Sequence, residues 1–211
     1  MNIVQILSKN RNHFTGNNPC NFITIHQTGN SGKGANAINH AKYINNGSSA
    51  TWHYTVDSNM IVQHFKDNVQ CWHSGDGRGK GNTQSIGIEL CVNSDGDYIK
   101  TINNAIELVK HLMKKHSIPI SNVVQHNKWS GKNCPQLLRS SHKGFSWLHF
   151  IYKCDTPVKA SKNENSNVNS SIDDLAKRTI KGEFGNGEQR KKNLGSKYYQ
   201  VQKRVNEMLN K

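Results

Sequence analysis

The run FITIHQT at residues 22–28 is patterned as a strand and carries a histidine near its end. Side chains alternate along a strand, so Phe22, Thr24 and His26 share one face and two isoleucines share the other. A histidine on such a face can point into a cleft, where a neutral imidazole is a good zinc ligand. The run therefore predicts a sheet and one candidate metal ligand.

Short apolar segments that suit strands alternate with helical patterns on both sides of this run. The strand candidates are residues 22–28, 52–56, 60–65 and 85–92, and the helix candidates are 35–45, 101–116 and 145–153. A two-residue hairpin at Ser58-Asn59 indicates that part of the sheet is antiparallel. The pattern predicts an α/β fold with a mixed central sheet flanked by helices.

The composition changes after this region and predicts two folded parts. Residues 156–171 read TPVKASKNENSNVNSS, which is rich in Ser, Asn and Lys and suits a solvated linker. Residues 172–211 then carry two groups of apolar residues at helical spacing, separated by a Gly-rich stretch. We predict a domain at 1–155, a linker at 156–171 and a small all-helical module at 172–211.

The formal net charge of +14 implies an anionic partner, for which nucleic acid, acidic lipid and bacterial wall polymers are all candidates. The basic residues are dispersed and no nucleic-acid reading motif is present, so no specific nucleic acid is expected. No segment approaches the roughly 18 apolar residues of a membrane span, and residues 1–18 lack the apolar run of a signal peptide. We expect neither membrane insertion nor signal-dependent export.

Five cysteines at irregular spacing argue against a complete disulfide framework and favour reduced thiols. Cys134 follows a second histidine, His126, which ends the apolar run at 123–126. The close spacing lets these two residues chelate one ion. On spacing alone, a surface or hydrogen-bonded core histidine is a commoner explanation than a metal ligand, because the chain has eleven histidines.

Five motifs occur together in one order: IHQT (25–28), WHY (52–54), CWHSG (71–75), IGIE (86–89) and the segment 126–135. This combination resembles the type 2 N-acetylmuramoyl-L-alanine amidases, whose fold phage endolysins and peptidoglycan recognition proteins share. The resemblance covers roughly residues 20–140. It implies the zinc amidase fold and cleavage of the amide bond between N-acetylmuramic acid and L-alanine in peptidoglycan.

Carried over by position, the resemblance implies one catalytic Zn²⁺ held by His26, His126 and Cys134. It places Glu89 as the general base and Lys132 beside the developing oxyanion. The alternative for Glu89 is a strand-end carboxylate that is exposed or paired with a lysine. The alternative for Lys132 is a solvated loop lysine. Some family members have a tyrosine beside the zinc water, whereas the corresponding motif here begins with Trp52.

Four further residues are expected to line the substrate groove, because aromatic faces pack on sugars and imidazoles hydrogen-bond to them: Trp52, His53, Trp72 and His73. Core packing is an equal alternative for the two tryptophans.

The C-terminal module resembles the short helical wall-binding repeat of some phage lysins, which binds peptidoglycan muropeptides. The resemblance points to Phe184, Arg190, Tyr198 and Tyr199 as wall-binding residues. The alternative is a small basic helical pair that binds nothing.

Together these features predict a monomeric endolysin or autolysin whose partner is bacterial peptidoglycan. The resemblance implies synthesis in the bacterial cytoplasm without a signal peptide and action at the cell wall after holin-type release or lysis. A non-catalytic peptidoglycan-binding protein on the same fold is the alternative. It ranks lower because all three ligand positions are intact.

Overall fold

The computed structural model describes residues 2–156 and 172–209. Contacts divide the chain into two compact units, Met1–Thr156 and Pro157–Lys211. All of the predicted linker except Thr156 lies outside the described residues, so the linker stays a prediction.

Short strands build the first unit, and in the described part they are β1 (Ile3–Gln5), β2 (His13–Asn17), β3 (Phe22–Gln27), β4 (Tyr54–Val56), β5 (Ile61–Gln63), β6 (Val69–Cys71), β7 (Ser85–Leu90) and β8 (Val123–Gln125). Six of them form one sheet in the order β1-β5-β4-β7-β3-β8, and β2 pairs with β6 separately. Within the six-stranded sheet only β4 and β5 pair antiparallel. The predicted mixed sheet and the hairpin at Ser58-Asn59 are confirmed.

The helices of this unit in the described part are α1 (Ala37–Asn45), α2 (Lys80–Thr83), α3 (Tyr98–His116), α4 (Asn127–Ser130), α5 (Gln136–Arg139) and α6 (Trp147–Asp155). The helix α3 begins three residues earlier than predicted, because the Asp97 side chain accepts hydrogen bonds from the N–H groups of Ile99 and Lys100. It ends at His116, where Ser117 adopts a left-handed conformation. No helix among the described residues is long and apolar enough to cross a membrane.

One face of the sheet carries the main core. Ile23 and Ile25 of β3 are completely buried and belong to one apolar cluster with Leu108 of α3 and Phe150 of α6. The alternation predicted for β3 thus sends its isoleucines into the core. The opposite face of the strand carries His26, and the chemistry described below lies on that face.

The second unit is a three-helix module with its own small core. Its described helices are α7 (Ile172–Ile180), α8 (Gly187–Leu194) and α9 (Tyr198–Leu209). Ala176, Leu194 and Val201 pack with Phe184 and Val205 in one cluster. The first and last helices match the two predicted apolar groups. The middle helix was not predicted, because its sequence GEQRKKNL has a single large apolar residue.

Candidate metal centre and cleft

The fold brings together the three residues expected to bind metal. Donor atoms of His26, His126 and Cys134 all lie within 4.8 Å of one another, and all three residues are buried. The Nδ1 atoms of His26 and His126 are 3.0 Å apart. Two nitrogen ligands of a tetrahedral zinc ion lie about 3.3 Å apart when each bond is about 2.05 Å, so the spacing fits zinc.

Parallel strand pairing places the two histidines. Ile25 of β3 is the register partner of Gln125 of β8, and the next residue, His126, donates its N–H to the carbonyl of Ile25 at 3.1 Å. The chain then turns through α4 and returns, so that Cys134 accepts a hydrogen bond through its carbonyl from the N–H of Asn127 at 3.1 Å. Two strands and one short loop therefore assemble a site from residues that lie far apart in the sequence.

The outer nitrogen of each histidine has a protein partner. His126 Nε2 lies 3.0 Å from the carbonyl oxygen of Ser74, which can only accept, so this nitrogen carries the hydrogen. His26 Nε2 lies 3.0 Å from His73 Nδ1. Both contacts are satisfied when His26 Nε2 donates its hydrogen to His73 Nδ1. The Nδ1 atoms of His26 and His126 then carry no hydrogen and can each bind a metal. Such partners fix the ring orientation of metal-binding histidines.

The protonation states of the isolated ligands also fit a metal site. Burial lowers the pKa of His26 well below its usual range and lowers that of His126, so both rings are neutral at pH 7. Burial raises the pKa of the Cys134 thiol to about 11. A coordinated thiol is deprotonated by the metal charge. Imidazole and thiolate are both good zinc ligands, and catalytic zinc sites have three protein ligands, so these three residues fit a catalytic zinc site.

His53 and His73 lie behind His26 instead of lining the groove. His53 is completely buried, donates from Nε2 to the Val69 carbonyl at 2.9 Å and accepts at Nδ1 from the Gly87 N–H at 2.9 Å. Burial lowers its pKa to about 4. His73 is 8% exposed and partners His26. The expectation of groove contacts is therefore corrected, and the structure gives both rings a supporting position.

Two polar residues that the sequence analysis did not single out build the loop under His126. Asn82 accepts hydrogen bonds from the N–H groups of His73 and Ser74 at 2.8 and 2.7 Å. Asp76 accepts from the N–H of Gly81 at 2.7 Å and from that of Asn82 at 3.2 Å. These bonds hold the Ser74 carbonyl against His126. Local sequence carries no signal for them beyond a loop rich in Gly, Ser and Asp.

Glu89 lies on the neighbouring strand, beside the candidate metal ligand His26. Its Oε1 is 4.0 Å from His26 Nδ1, and its side chain is 16% exposed. Burial raises its pKa to about 8, and the positive charge of Lys132 opposes this rise. Glu89 is therefore not an exposed strand-end carboxylate. Lys132 itself is exposed, and its charge also lowers the pKa of both histidine ligands.

A cleft of about 450 Å³ opens next to Glu89. Trp52, Thr28 and Tyr43 are among its lining residues. Trp52 is only 6% exposed, and its indole N–H donates to Thr55 Oγ1 at 2.7 Å. Trp52 is thus both packed in the interior and part of the cleft wall, so the two alternatives for this residue coexist.

Trp72 is not among the described residues that line this cleft. It is 40% exposed, and its ring centroid lies 4.6 Å from that of Phe14. The Arg78 guanidinium lies 5.2 Å from the centre of the Phe14 ring. Trp72 therefore belongs to a surface aromatic pair.

The four residues expected to bind wall in the C-terminal module have different surroundings. Phe184 is 8% exposed and belongs to the core of the module. Arg190 donates three hydrogen bonds of 3.0 Å, to the Gly185 carbonyl and to the side chains of Gln202 and Asn186. Both residues therefore hold the module together. Tyr198 packs partly on the core.

Tyr199 differs from these three, because 81% of it is exposed. Its ring lies edge-on to Tyr198, with a centroid separation of 5.2 Å. It therefore presents an aromatic face to solvent.

Comparison with known proteins agrees with this geometry. Residues 16–137 match the protein family described as N-acetylmuramoyl-L-alanine amidase, and residues 173–209 match the family described as the CW_7 repeat. The catalytic domain of XlyA has a similar structure, with a TM-score of 0.68 and 42% sequence identity over 73% of this chain and 99% of that chain.

Curated relatives show the same similarity in sequence. The N-acetylmuramoyl-L-alanine amidase CwlH of Bacillus subtilis (strain 168) is 48% identical over 65% of this chain and 55% of its own length. XlyA of the same strain is 49% identical over 59% of this chain and 42% of its own length. The chain thus spans about half the length of these relatives.

Proposed function

The chain belongs to the N-acetylmuramoyl-L-alanine amidase family, and we propose that it hydrolyses the amide bond between N-acetylmuramic acid and L-alanine in peptidoglycan with one zinc ion. The observation that carries the proposal is the buried set of His26, His126 and Cys134 with Glu89 beside it. A purely structural zinc site would be closed by a fourth protein ligand. In this proposal the fourth position serves water and substrate.

When bound, zinc would acidify its water and polarise the scissile carbonyl. Glu89 would receive the proton of the attacking water and pass it to the leaving amine, because its Oε1 lies 4.0 Å from the proposed ligand atom His26 Nδ1 and therefore beside the proposed zinc position. Lys132 would place a positive charge near the developing oxyanion, in keeping with its effect on the pKa of Glu89. The cleft wall at Trp52 would orient the substrate next to the Glu89 carboxylate.

The intact bacterial wall is the proposed substrate, and the protein would act as an endolysin or autolysin. The match to the CW_7 repeat supports this substrate, because a separate module of the same chain would hold the enzyme on the polymer. Tyr199 is the proposed wall contact in that module, and Trp72 is a proposed contact in the first unit. Both expose aromatic surface suited to sugar rings.

The metal assignment is tested by exchanging Cys134 for serine. Cys154 is a matched control, since both cysteines are 4% exposed and Cys154 lies on α6, outside the metal set. Cys134→Ser should lose zinc and hydrolysis of purified peptidoglycan, whereas Cys154→Ser should keep both. Chelation should inactivate the wild-type protein, and added zinc should restore it. Full zinc content and activity in Cys134→Ser would overturn the assignment.

A further inference from the structure

The loop at residues 127–134 carries more of the proposed chemistry than any other loop in the described residues. It begins directly after His126, contains Lys132 and ends at Cys134. The positions of Cys134, a proposed metal ligand, and of Lys132, the proposed cation beside the oxyanion, therefore depend on the same few peptide units. Apart from the short helix α4, no regular secondary structure fixes this part of the loop.

Asn127 makes a set of hydrogen bonds that closes the loop. Its side-chain Nδ2 donates to the carbonyls of Gly131 and Lys132, at 2.8 and 2.9 Å. Its backbone N–H donates to the carbonyl of Cys134 at 3.1 Å, and its carbonyl accepts from the N–H of Gly131 at 3.0 Å. One residue thus bonds to both sides of the turn.

The amide chemistry of asparagine fits this position. The Nδ2 group has two hydrogens, and each meets a different carbonyl. The Lys132 carbonyl also accepts from the N–H of Cys134 at 2.7 Å, so two donors fix the peptide unit that follows Lys132. Gly131 adopts a φ of +75°, which lets the chain reverse at the point that Asn127 bridges. Aspartate has the same shape but would place a carboxylate against two carbonyl oxygens.

We propose that Asn127 is a positioning residue that sets the place of the Cys134 thiolate and the Lys132 ammonium. This inference rests on the proposed function, because it gives the loop a task only if the loop holds zinc. Asn127 acts through the backbone of the loop and belongs to neither the metal ligands nor the proton-transfer groups. Groups that orient metal ligands typically contribute about 10- to 100-fold to metal affinity.

The test uses the full chain with the substitutions Asn127→Asp, Asn127→Ala and Asn127→Ser. Asn122→Asp is the matched control, because Asn122 is similarly half-buried and also donates from Nδ2 to a backbone carbonyl, that of Asn21, at 2.9 Å. The measurements are the zinc dissociation constant by chelator competition, the thiolate-to-cobalt charge-transfer band after Co²⁺ substitution, and kcat and KM on solubilised peptidoglycan. The Tm of the zinc-free protein reports stability separately.

Asn127→Asp and Asn127→Ala should weaken zinc binding by about 10- to 100-fold, reduce the cobalt band and lower kcat with little change in KM. Asn127→Ser should lie between them and wild type, since its hydroxyl has one hydrogen to donate. The control should match wild type. Unchanged zinc affinity and cobalt band in the Asp and Ala variants would overturn the inference, even if the zinc-free Tm falls.

The same experiment separates this inference from the proposed function. Wild-type protein that binds no zinc would contradict the proposed function itself. Wild-type protein that binds zinc and hydrolyses peptidoglycan, beside Asn127 variants that do so equally well, would contradict only the role of Asn127. Should Asn127→Asp not fold, the uncharged Ala and Ser variants give the result.

Discussion

His26 and Glu89 are register partners on the adjacent parallel strands β3 and β7, and His26 Nδ1 lies 4.0 Å from Glu89 Oε1. Register partners on neighbouring parallel strands point to the same face, so backbone pairing alone keeps this carboxylate beside the proposed metal ligand. Sites built on strands are held more precisely than sites built on loops. The pairing of β3 with β7 therefore brings the histidine of the IHQT motif next to the glutamate of the IGIE motif.

Glu89→Gln should leave zinc binding intact and lower kcat by about 100- to 10,000-fold, because the amide cannot accept the proton of the water. Zinc content by atomic absorption and release of stem peptides are the two measurements. Glu107→Gln is the control, since Glu107 is exposed on α3. Substantial hydrolysis by the Glu89 variant would assign the base to another group.

Gly87→Ala should weaken zinc binding through a residue that touches no metal ligand directly. A Cβ at this position would lie 2.9 Å from the His73 ring, so the ring or the strand must shift and the contact between His73 and His26 would be disturbed. Gly32→Ala is the control, because a Cβ there meets only the end of the Asn30 side chain, at 3.1 Å. Wild-type zinc affinity in Gly87→Ala would show that His73 does not support His26.

Asp67 should make the stability of the first unit depend on pH. It accepts hydrogen bonds from Tyr54 at 2.6 Å, from Lys115 at 2.7 Å and from His116 at 2.8 Å. Burial would raise the pKa of Asp67, but these bonds outweigh it and lower that pKa. Because the folded pKa lies below the unfolded value of about 4, the contribution is complete above pH 4 and is lost as the pH falls through the folded pKa.

Asp67→Asn should therefore lower the free energy of unfolding by about 2 kcal/mol at pH 7, with a smaller difference from wild type below pH 4. Urea denaturation at both pH values measures this. Asp155→Asn removes the same charge at an exposed position and should have little effect. A deficit in the Asp67 variant that stays constant down to pH 2 would mean that the carboxylate charge does not stabilise the fold.

Tyr199→Ala should weaken wall binding by about five-fold without destabilising the module, because the ring is 81% exposed and an aromatic contact contributes about 1 kcal/mol. Pelleting with purified walls measures binding, and the Glu89→Gln background prevents digestion. Leu209→Ala is the control, since Leu209 is also on α9 and 64% exposed. Equal pelleting of both variants would show that Tyr199 is not the wall contact.

The sequence predicted the parts of the fold that have strong periodicity. The alternation in residues 22–28 predicted β3 and its faces, and the spacing in 101–116 predicted most of α3. It missed β1, β2, β6 and β8, which are only three to five residues long. Such strands exist because neighbouring strands pair with them, and single-sequence patterns do not record that pairing.

The sequence likewise predicted one part of the candidate site and missed another. Motif order predicted which side chains meet, and the structure brings the predicted metal ligands together. The supporting positions of His53, His73 and Asn82 depend on distances between segments that are remote in sequence. Arg190 shows the same limit, because its three hydrogen bonds form only after the module has folded.

The chemical ends that the protein creates in peptidoglycan test the proposed amidase activity most directly. Purified peptidoglycan would be digested with the zinc-loaded protein, and the fragments would be assayed for new amino termini and new reducing sugars. A zinc amidase should produce free L-alanine amino termini, lose them on chelation and produce no new reducing ends. New reducing ends without free L-alanine would identify a glycosidase and contradict the proposed amidase activity.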